Sequence, residues 1–200
     1  MDTQTHTFPN DPVTYISPSW KDMEQLAFAV SQKILQDGKT FDRIVTLAKG
    51  GWPMTRSLVD FLSISEVASI GVKFYKGINE RLNMPEIYQD LPVSVTGERV
   101  LLFDDVADTG ESLEFTQNYL LEHGVAEVTT ATVYYKPHSR LKPDFYGAET
   151  SAWIIFPYDA VEMIGVLGKK WQEQGCEKSE SQHRFEQLGF DPKVIETYFS

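Results

Sequence analysis

Val100-Leu101-Leu102-Phe103-Asp104-Asp105-Val106-Ala107-Asp108-Thr109-Gly110-Glu111-Ser112-Leu113 is the stretch that decides the fold. Residues 99–103 read as a strand, apolar from Val100 to Phe103 as a central parallel strand must be when both its faces are covered. Asp104 and Asp105 stand at the carboxyl end of that strand, a short turn follows, and a helix runs from Glu111 to His123, closed by Gly124. Open α/β sheets bind ligands outside the carboxyl ends of their strands. The turn from Asp108 to Ser112 presents backbone N–H groups at a helix N-terminus. With the helix dipole and the hydroxyls of Thr109 and Ser112, they form a cradle for a phosphate. Gly110 permits close backbone approach and unusual dihedrals. Acids beside a phosphate cradle need a reason, because carboxylates repel phosphates. A ligand that also carries a sugar diol and a divalent cation supplies one. Carboxylates accept hydrogen bonds from vicinal hydroxyls and ligate Mg2+.

On either side of this stretch the pattern alternates. Ser19 with Asp22 reads as a helix start, Met23, Leu26, Ala27, Val30 and Ile34 repeat at helical spacing, and Gly38 supplies the stop. A strand over 41–47 is broken by Ala48-Lys49-Gly50-Gly51, where Lys49 offers a charge and the glycines offer N–H groups for an anion. A helix over 53–62 and a strand over 66–74 follow. Strands are expected over 128–135 and 153–156. Strand–helix–strand alternation implies an α/β fold, a central mostly parallel sheet flanked by helices. The segment 76–98 lacks a firm apolar period and carries Pro85, Pro92 and Gly97. Such a length reads as a lid, with room for a small hairpin. Residues 1–18, with Pro9, Pro12 and Pro18, read as an irregular N-terminal arm, 19–160 as the α/β domain, and 161–200 as a C-terminal helical extension ending in a helical pair over 183–189 and 192–199.

At 200 residues, with 42% apolar and 24% charged residues, the composition is that of a globular domain and excludes a disordered chain or a disulfide scaffold. A net charge of −11 repels polyanions and disfavours general nucleic-acid binding. Cys176 is the only cysteine, and the histidines at 6, 123, 138 and 183 share no metal-ligand spacing, so zinc chemistry has no support. No signal-type leader or long apolar span is read, and the expectation is a cytoplasmic protein without membrane association.

The run from Val100 to Leu113 resembles the phosphoribosyl pyrophosphate (PRPP) signature of type I phosphoribosyltransferases. Its Asp108-Thr109-Gly110 form is similar to that of the 6-oxopurine members, the xanthine–guanine and hypoxanthine–guanine phosphoribosyltransferases. Orotate, adenine and uracil relatives usually carry another residue at the position of Asp108. The resemblance implies a type I phosphoribosyltransferase-like fold and transfer of ribosyl 5-phosphate from PRPP to a purine, giving a nucleoside monophosphate and pyrophosphate, as in purine salvage. It implies PRPP contacts from Asp104, Asp105, Ala107, Asp108, Thr109, Gly110, Glu111 and Ser112. Asp108 would be the catalytic general base, and Asp104 and Asp105 would hold the ribose diol and Mg2+. Lys49, Gly50 and Gly51 would hold pyrophosphate, with a cis non-proline peptide at Lys49–Gly50. Lys136, at a strand end, would donate to the purine 6-oxo oxygen. Trp153 would stack on the base and the Ile154 backbone would read its 2-position. Asp159 would sit near a second Mg2+ or cap the helix that follows it. Arg140 would reach pyrophosphate, the carboxylate of Glu111 would point to solvent, and the lid would close during transfer. A homo-oligomer, dimer or tetramer, is implied as well. The rival readings are a transferase for another base, a PRPP synthetase and a non-catalytic PRPP-sensing regulator of the same fold. Asp108 and Lys136 oppose the first. The synthetase needs two such domains, and the regulator needs a DNA-binding element that the sequence does not show.

Overall fold

The computed structural model describes residues 4–76 and 83–199. The chain begins with β1 (Thr5–His6), β2 (Tyr15–Ile16), α1 (Trp20–Asp37), β3 (Arg43–Ala48) and α2 (Trp52–Leu62). It continues through β4 (Val67–Lys76), β5 (Asn83–Gln89), β6 (Arg99–Ala107), α3 (Glu111–Glu122), β7 (Glu127–Tyr135) and β8 (Phe145–Glu149). It ends with β9 (Trp153–Ile154), α4 (Ala160–Glu173), α5 (Lys178–Gln187) and α6 (Pro192–Tyr198). It divides into two compact units, one of residues 23–151 and one of residues 1–22 with 152–200.

Unit 23–151 is built on a six-stranded sheet in the order β5-β4-β3-β6-β7-β8, parallel except for the β4–β5 pair. This is the mixed α/β architecture expected from the alternation of elements. Val100 to Phe103 of β6 are wholly buried. One core cluster joins Val45, Leu47, Ile70, Val100 and Leu102 of the sheet to Leu113 and Leu120 of α3. The reciprocal capping box forms as read: Ser19 N donates to Asp22 Oδ2 (2.8 Å) and Asp22 N to Ser19 Oγ (3.2 Å). At the amino ends of the strands, Arg43 grips Glu98 with both Nε (2.7 Å) and Nη2 (2.9 Å). That fork–fork geometry fixes the end of the sheet remote from the turn at 108–112.

In this unit β6, β8 and β5 differ from the sequence reading. β6 runs on through both acids to Ala107, because β7 keeps pairing with it as far as Ala107↔Tyr135. Apolar pattern alone does not register that one-sided ladder. β8 was not expected. It is a half-buried edge strand without a continuous apolar run, and Gly147 lets it approach β7, where a Cβ would come within 2.7 Å of Val133 O. Part of the expected lid forms β5, antiparallel to β4, with Pro85 opposite Phe74. Proline is tolerated there because β5 is an edge. Residues 77–82 of the same segment lie outside the described residues.

The other unit carries a small sheet, β1-β2-β9, antiparallel then parallel. The arm read as irregular therefore supplies two short strands. Trp171, Phe185, Tyr15, Phe8 and Phe199 form its core with Leu167 and Ile195. Asp11 has a fully buried side chain that accepts from Tyr15 Oη (2.7 Å), Val13 N (3.0 Å), Lys170 Nζ (2.8 Å) and Trp171 Nε1 (2.8 Å). A buried carboxylate persists only when its lone pairs are satisfied in this way. Among the described residues no helix is long and apolar enough to cross a membrane.

Candidate active site

β3 pairs with β6 only from Arg43↔Val100 to Thr46↔Phe103. Beyond Phe103 the β3 side of β6 is given up, and the loop after β3 fills the opening. A Cβ on Gly51 would lie 2.5 Å from Thr46 Oγ1 and 2.9 Å from Phe103 O. A Cβ on Gly50 would strike the carboxylate of Asp105. Only glycines let this loop reach the strand end. The turn is closed by Gly51 N donating to Leu47 O (3.0 Å) and Trp52 N to Lys49 O (3.2 Å), with Lys49 itself exposed. The cis peptide lies at Ala48–Lys49, one bond before the expected Lys49–Gly50. The spacing of the residues marks the loop but not which of its bonds reverses.

The carboxyl end of β6 borders a cavity of about 230 Å3 lined by residues 104–110 with Ser112 and Leu113. Asp105 N donates to Asp104 Oδ1 (2.9 Å). Burial, and behind it the negative charge of Asp105, pushes the carboxyl of Asp104 well above its ordinary range. Gly110 caps α3 in the left-handed region at φ +80° and brings no side chain of its own to the first turn, where Glu111 N donates to Thr109 Oγ1 (3.3 Å). The exposed Thr109 and the first turn of α3 stand where the sequence led us to expect a phosphate. Arg140 instead engages Glu114 (2.6 Å) and Glu111 (3.5 Å). The carboxylate of Glu111 is thus held by Arg140, whereas the sequence suggested solvent for it and pyrophosphate for Arg140.

The strand register brings the remaining groups to the same end. Ala107 pairs with Tyr135, so Asp108 and Lys136 are the next residues off adjacent strands. Lys136 N donates to Ala107 O (3.0 Å) and Arg140 N to Thr109 O (3.1 Å). Lys136 is 7% exposed. Burial lowers its pKa, and the charge of Asp108 opposes that shift. Asp108 is exposed and accepts from His138 Nε2 at 2.9 Å. His138 was only one of four unmatched histidines in the sequence. No spacing along the chain marks it as a partner of Asp108; the turn closed by Ser139 N on Lys136 O brings it there.

The structure therefore gathers Gly50, Gly51, residues 104–112 and Lys136 at the carboxyl ends of neighbouring strands in unit 23–151. Trp153, Ile154 and Asp159 belong to the other unit. Trp153 is half exposed and Ile154 is buried, both in β9. Asp159 stands at the N-cap position of α4 without a side-chain cap hydrogen bond, and its carbonyl accepts from Met163 N (2.8 Å). A larger cavity of about 380 Å3 in that unit is lined by Pro9, Cys176, Glu177, Glu180 and Arg184 among others. Its arginine is already committed to Glu180 and Pro9 O.

Asp104 and Asp105 fit a divalent cation. Both residues line the cavity, both carboxylates are hard oxygen donors, and a cation would relieve the repulsion that adds to burial in raising Asp104. Among the described residues no cluster of three or more potential ligands forms a cage. Mg2+ is commonly held by one or two carboxylates together with substrate oxygens, so a pair suffices.

A phosphoribosyl transferase domain model matches residues 19–161. A xanthine-guanine phosphoribosyltransferase of Nitratidesulfovibrio vulgaris is 30% identical over 144 residues, covering 71% of this chain and 83% of the relative. Among solved structures, a purine phosphoribosyltransferase from Pyrococcus horikoshii superposes with a TM-score of 0.64 at 30% identity, covering 72% of this chain and 93% of its own. A Neisseria gonorrhoeae protein solved with bound ppGpp gives a TM-score of 0.64 at 25% identity, with 72% and 89% covered.

Proposed function

The chain belongs to the phosphoribosyltransferase family, and on that premise we propose that it transfers the 5-phosphoribosyl group of PRPP to a ring nitrogen of a 6-oxopurine. Hypoxanthine, guanine and xanthine are the bases meant, and the products are the nucleoside monophosphate and pyrophosphate. The observation that supports this reading is the register Ala107↔Tyr135, which makes Asp108 and Lys136 the next residues off adjacent strands.

The reaction breaks the bond from the anomeric carbon to the pyrophosphate oxygen, and its electron pair leaves with pyrophosphate. The purine nitrogen forms the new bond to that carbon, and the proton it carried passes to the carboxylate of Asp108. The Lys136 ammonium stabilises negative charge on the 6-oxo oxygen and so helps that proton leave. Residues 107–112 hold the 5-phosphate through their N–H groups and hydroxyls. Asp104 and Asp105 accept from the ribose diol, and Lys49, Gly50 and Gly51 hold the departing pyrophosphate. Mg2+, held by Asp104 and Asp105, would neutralise charge on the leaving group. On the resemblance alone, Trp153 stacks on the base, Ile154 reads its 2-position through the backbone, and Asp159 serves a second Mg2+. On the same ground we propose a homo-oligomer, and we keep the cytoplasmic location expected from the sequence.

The test is pyrophosphate release from PRPP and Mg2+ with hypoxanthine, guanine, xanthine, adenine, uracil and orotate in turn. Release with one or more of the 6-oxopurines is expected. Release with adenine or a pyrimidine only would assign another base. PRPP binding without release on any base would mark a sensor.

A further inference from the structure

We propose that His138 is a positioning residue for the transfer: its Nε2–H holds Oδ1 of Asp108, leaving Oδ2 to face the nitrogen that loses its proton. This rests on the reading of Asp108 as the general base. A carboxylate on an exposed side chain turns about two soft torsions, and a base that turns loses the alignment on which proton transfer depends. Asp108 is such a side chain, 62% exposed. The imidazole, itself 60% exposed, donates to one oxygen at 2.9 Å and so restrains the turning of the carboxylate. A base oriented by a further group is the recurring logic of activated sites.

The pairing is not a meeting of two loose side chains. The backbone on both sides of it is stapled. Lys136 N donates to Ala107 O (3.0 Å) just before the pair, and Arg140 N to Thr109 O (3.1 Å) just after it. Between them, Ser139 N donates to Lys136 O (2.9 Å), closing a tight turn under His138. Ser139 Oγ donates to Leu141 O (2.8 Å). The two turns pack so closely that a Cβ on Gly110 would lie 2.5 Å from Ser139 Oγ and 2.8 Å from Leu141 N. Of the two charged neighbours, Arg140 is turned to the acids of α3, Glu114 and Glu111, while Lys136, buried at the strand end, also acts on Asp108 through its charge.

The experiment compares His138→Ala, His138→Gln, Asp108→Asn and the doubly substituted His138→Ala/Asp108→Asn chain in steady-state transfer with the preferred base. His138→Ala is expected to lower kcat about tenfold, a barrier change of about 1.4 kcal/mol, with the KM for PRPP within about twofold of the unaltered chain. His138→Gln keeps an N–H donor at similar reach and should restore most of kcat. Asp108→Asn should lower kcat by about 10²–10⁴, and the double variant should be no slower, because His138 acts only through Asp108. Full kcat in His138→Ala beside a slow Asp108→Asn overturns the positioning role and leaves the general base standing. Losses that multiply in the double variant, or no rescue by His138→Gln, overturn it likewise. Full kcat in Asp108→Asn overturns the general-base reading, and the proposal with it.

Discussion

The carboxylate of Asp105 occupies the space that a side chain on Gly50 would need: an ideal Cβ there would lie 2.4 Å from Oδ2 and 2.6 Å from Cγ. The loop after β3 and the end of β6 thus form one surface. Gly50→Ala should push the Asp105 carboxylate aside while sparing the backbone, since what it meets is the far end of a side chain. The KM for PRPP should rise about tenfold, a loss of about 1.4 kcal/mol of binding, with a melting temperature within a few degrees. An unchanged KM would separate the loop from the acid pair as binding elements.

Gly110 is constrained by both dihedral and space. At φ +80° an alanine is strained, and its methyl would press on the backbone nitrogen of Leu141 at 2.8 Å. Gly110→Ala should cost roughly 1–3 kcal/mol of stability and lower kcat as well, because the turn that bears Asp108 must shift. Chemical denaturation read beside steady-state kinetics checks both. A variant as stable and as fast as the parent would show that the two turns tolerate separation.

Lys136 loses its proton at lower pH than an exposed lysine, because burial disfavours the ammonium. Use of the base, followed as kcat/KM for the purine, should therefore fall on the alkaline side before the ordinary lysine range is reached. Lys136→Met should raise the KM for the base and flatten that limb. A limb that survives the substitution belongs to another group.

Asp11 is expected to govern acid stability in the unit formed by the chain's ends. Burial pushes its pKa up, but bonds from Lys170, Trp171, Tyr15 and Val13 outweigh burial and bring it down to about 2 from 3.8. A depressed carboxylate stabilises the fold above its unfolded value, and that contribution is lost as pH falls through the folded one. At about 1.4 kcal/mol per pH unit it amounts to about 2 kcal/mol. Thermal melts from pH 5 to pH 2 should fall more steeply for the parent than for Asp11→Asn, which should already be less stable at pH 7. Parallel curves would remove Asp11 from the acid transition.

Much of the unit 23–151 was legible because its signals are local. The apolar run 100–103, the helical spacing of Met23, Leu26, Ala27, Val30 and Ile34, and the glycines at 50, 51 and 110 each dictate structure within a few residues. What escaped depends on partners distant in sequence. β6 extends past its apolar run because β7 lies beside it, and β8 exists because Gly147 fits against Val133. The arm's proline-rich sequence hides β1 and β2, whose partners are each other and β9. At the site, Asp108 and Lys136 were readable from motif order. The hydrogen bond between Asp108 and His138 was not, because it arises from the turn at 136–141 rather than from any spacing along the chain.

Asp108 and Lys136 leave the sheet from a single rung, the one formed by Ala107 and Tyr135. When the strands flex, the two backbone positions travel together, so what is left to position at Asp108 is the turning of its exposed side chain. Lengthening or shortening the chain between α3 and β7 leaves that rung intact. A transplant of this strand pair into another parallel sheet would carry the two groups across as a matched set.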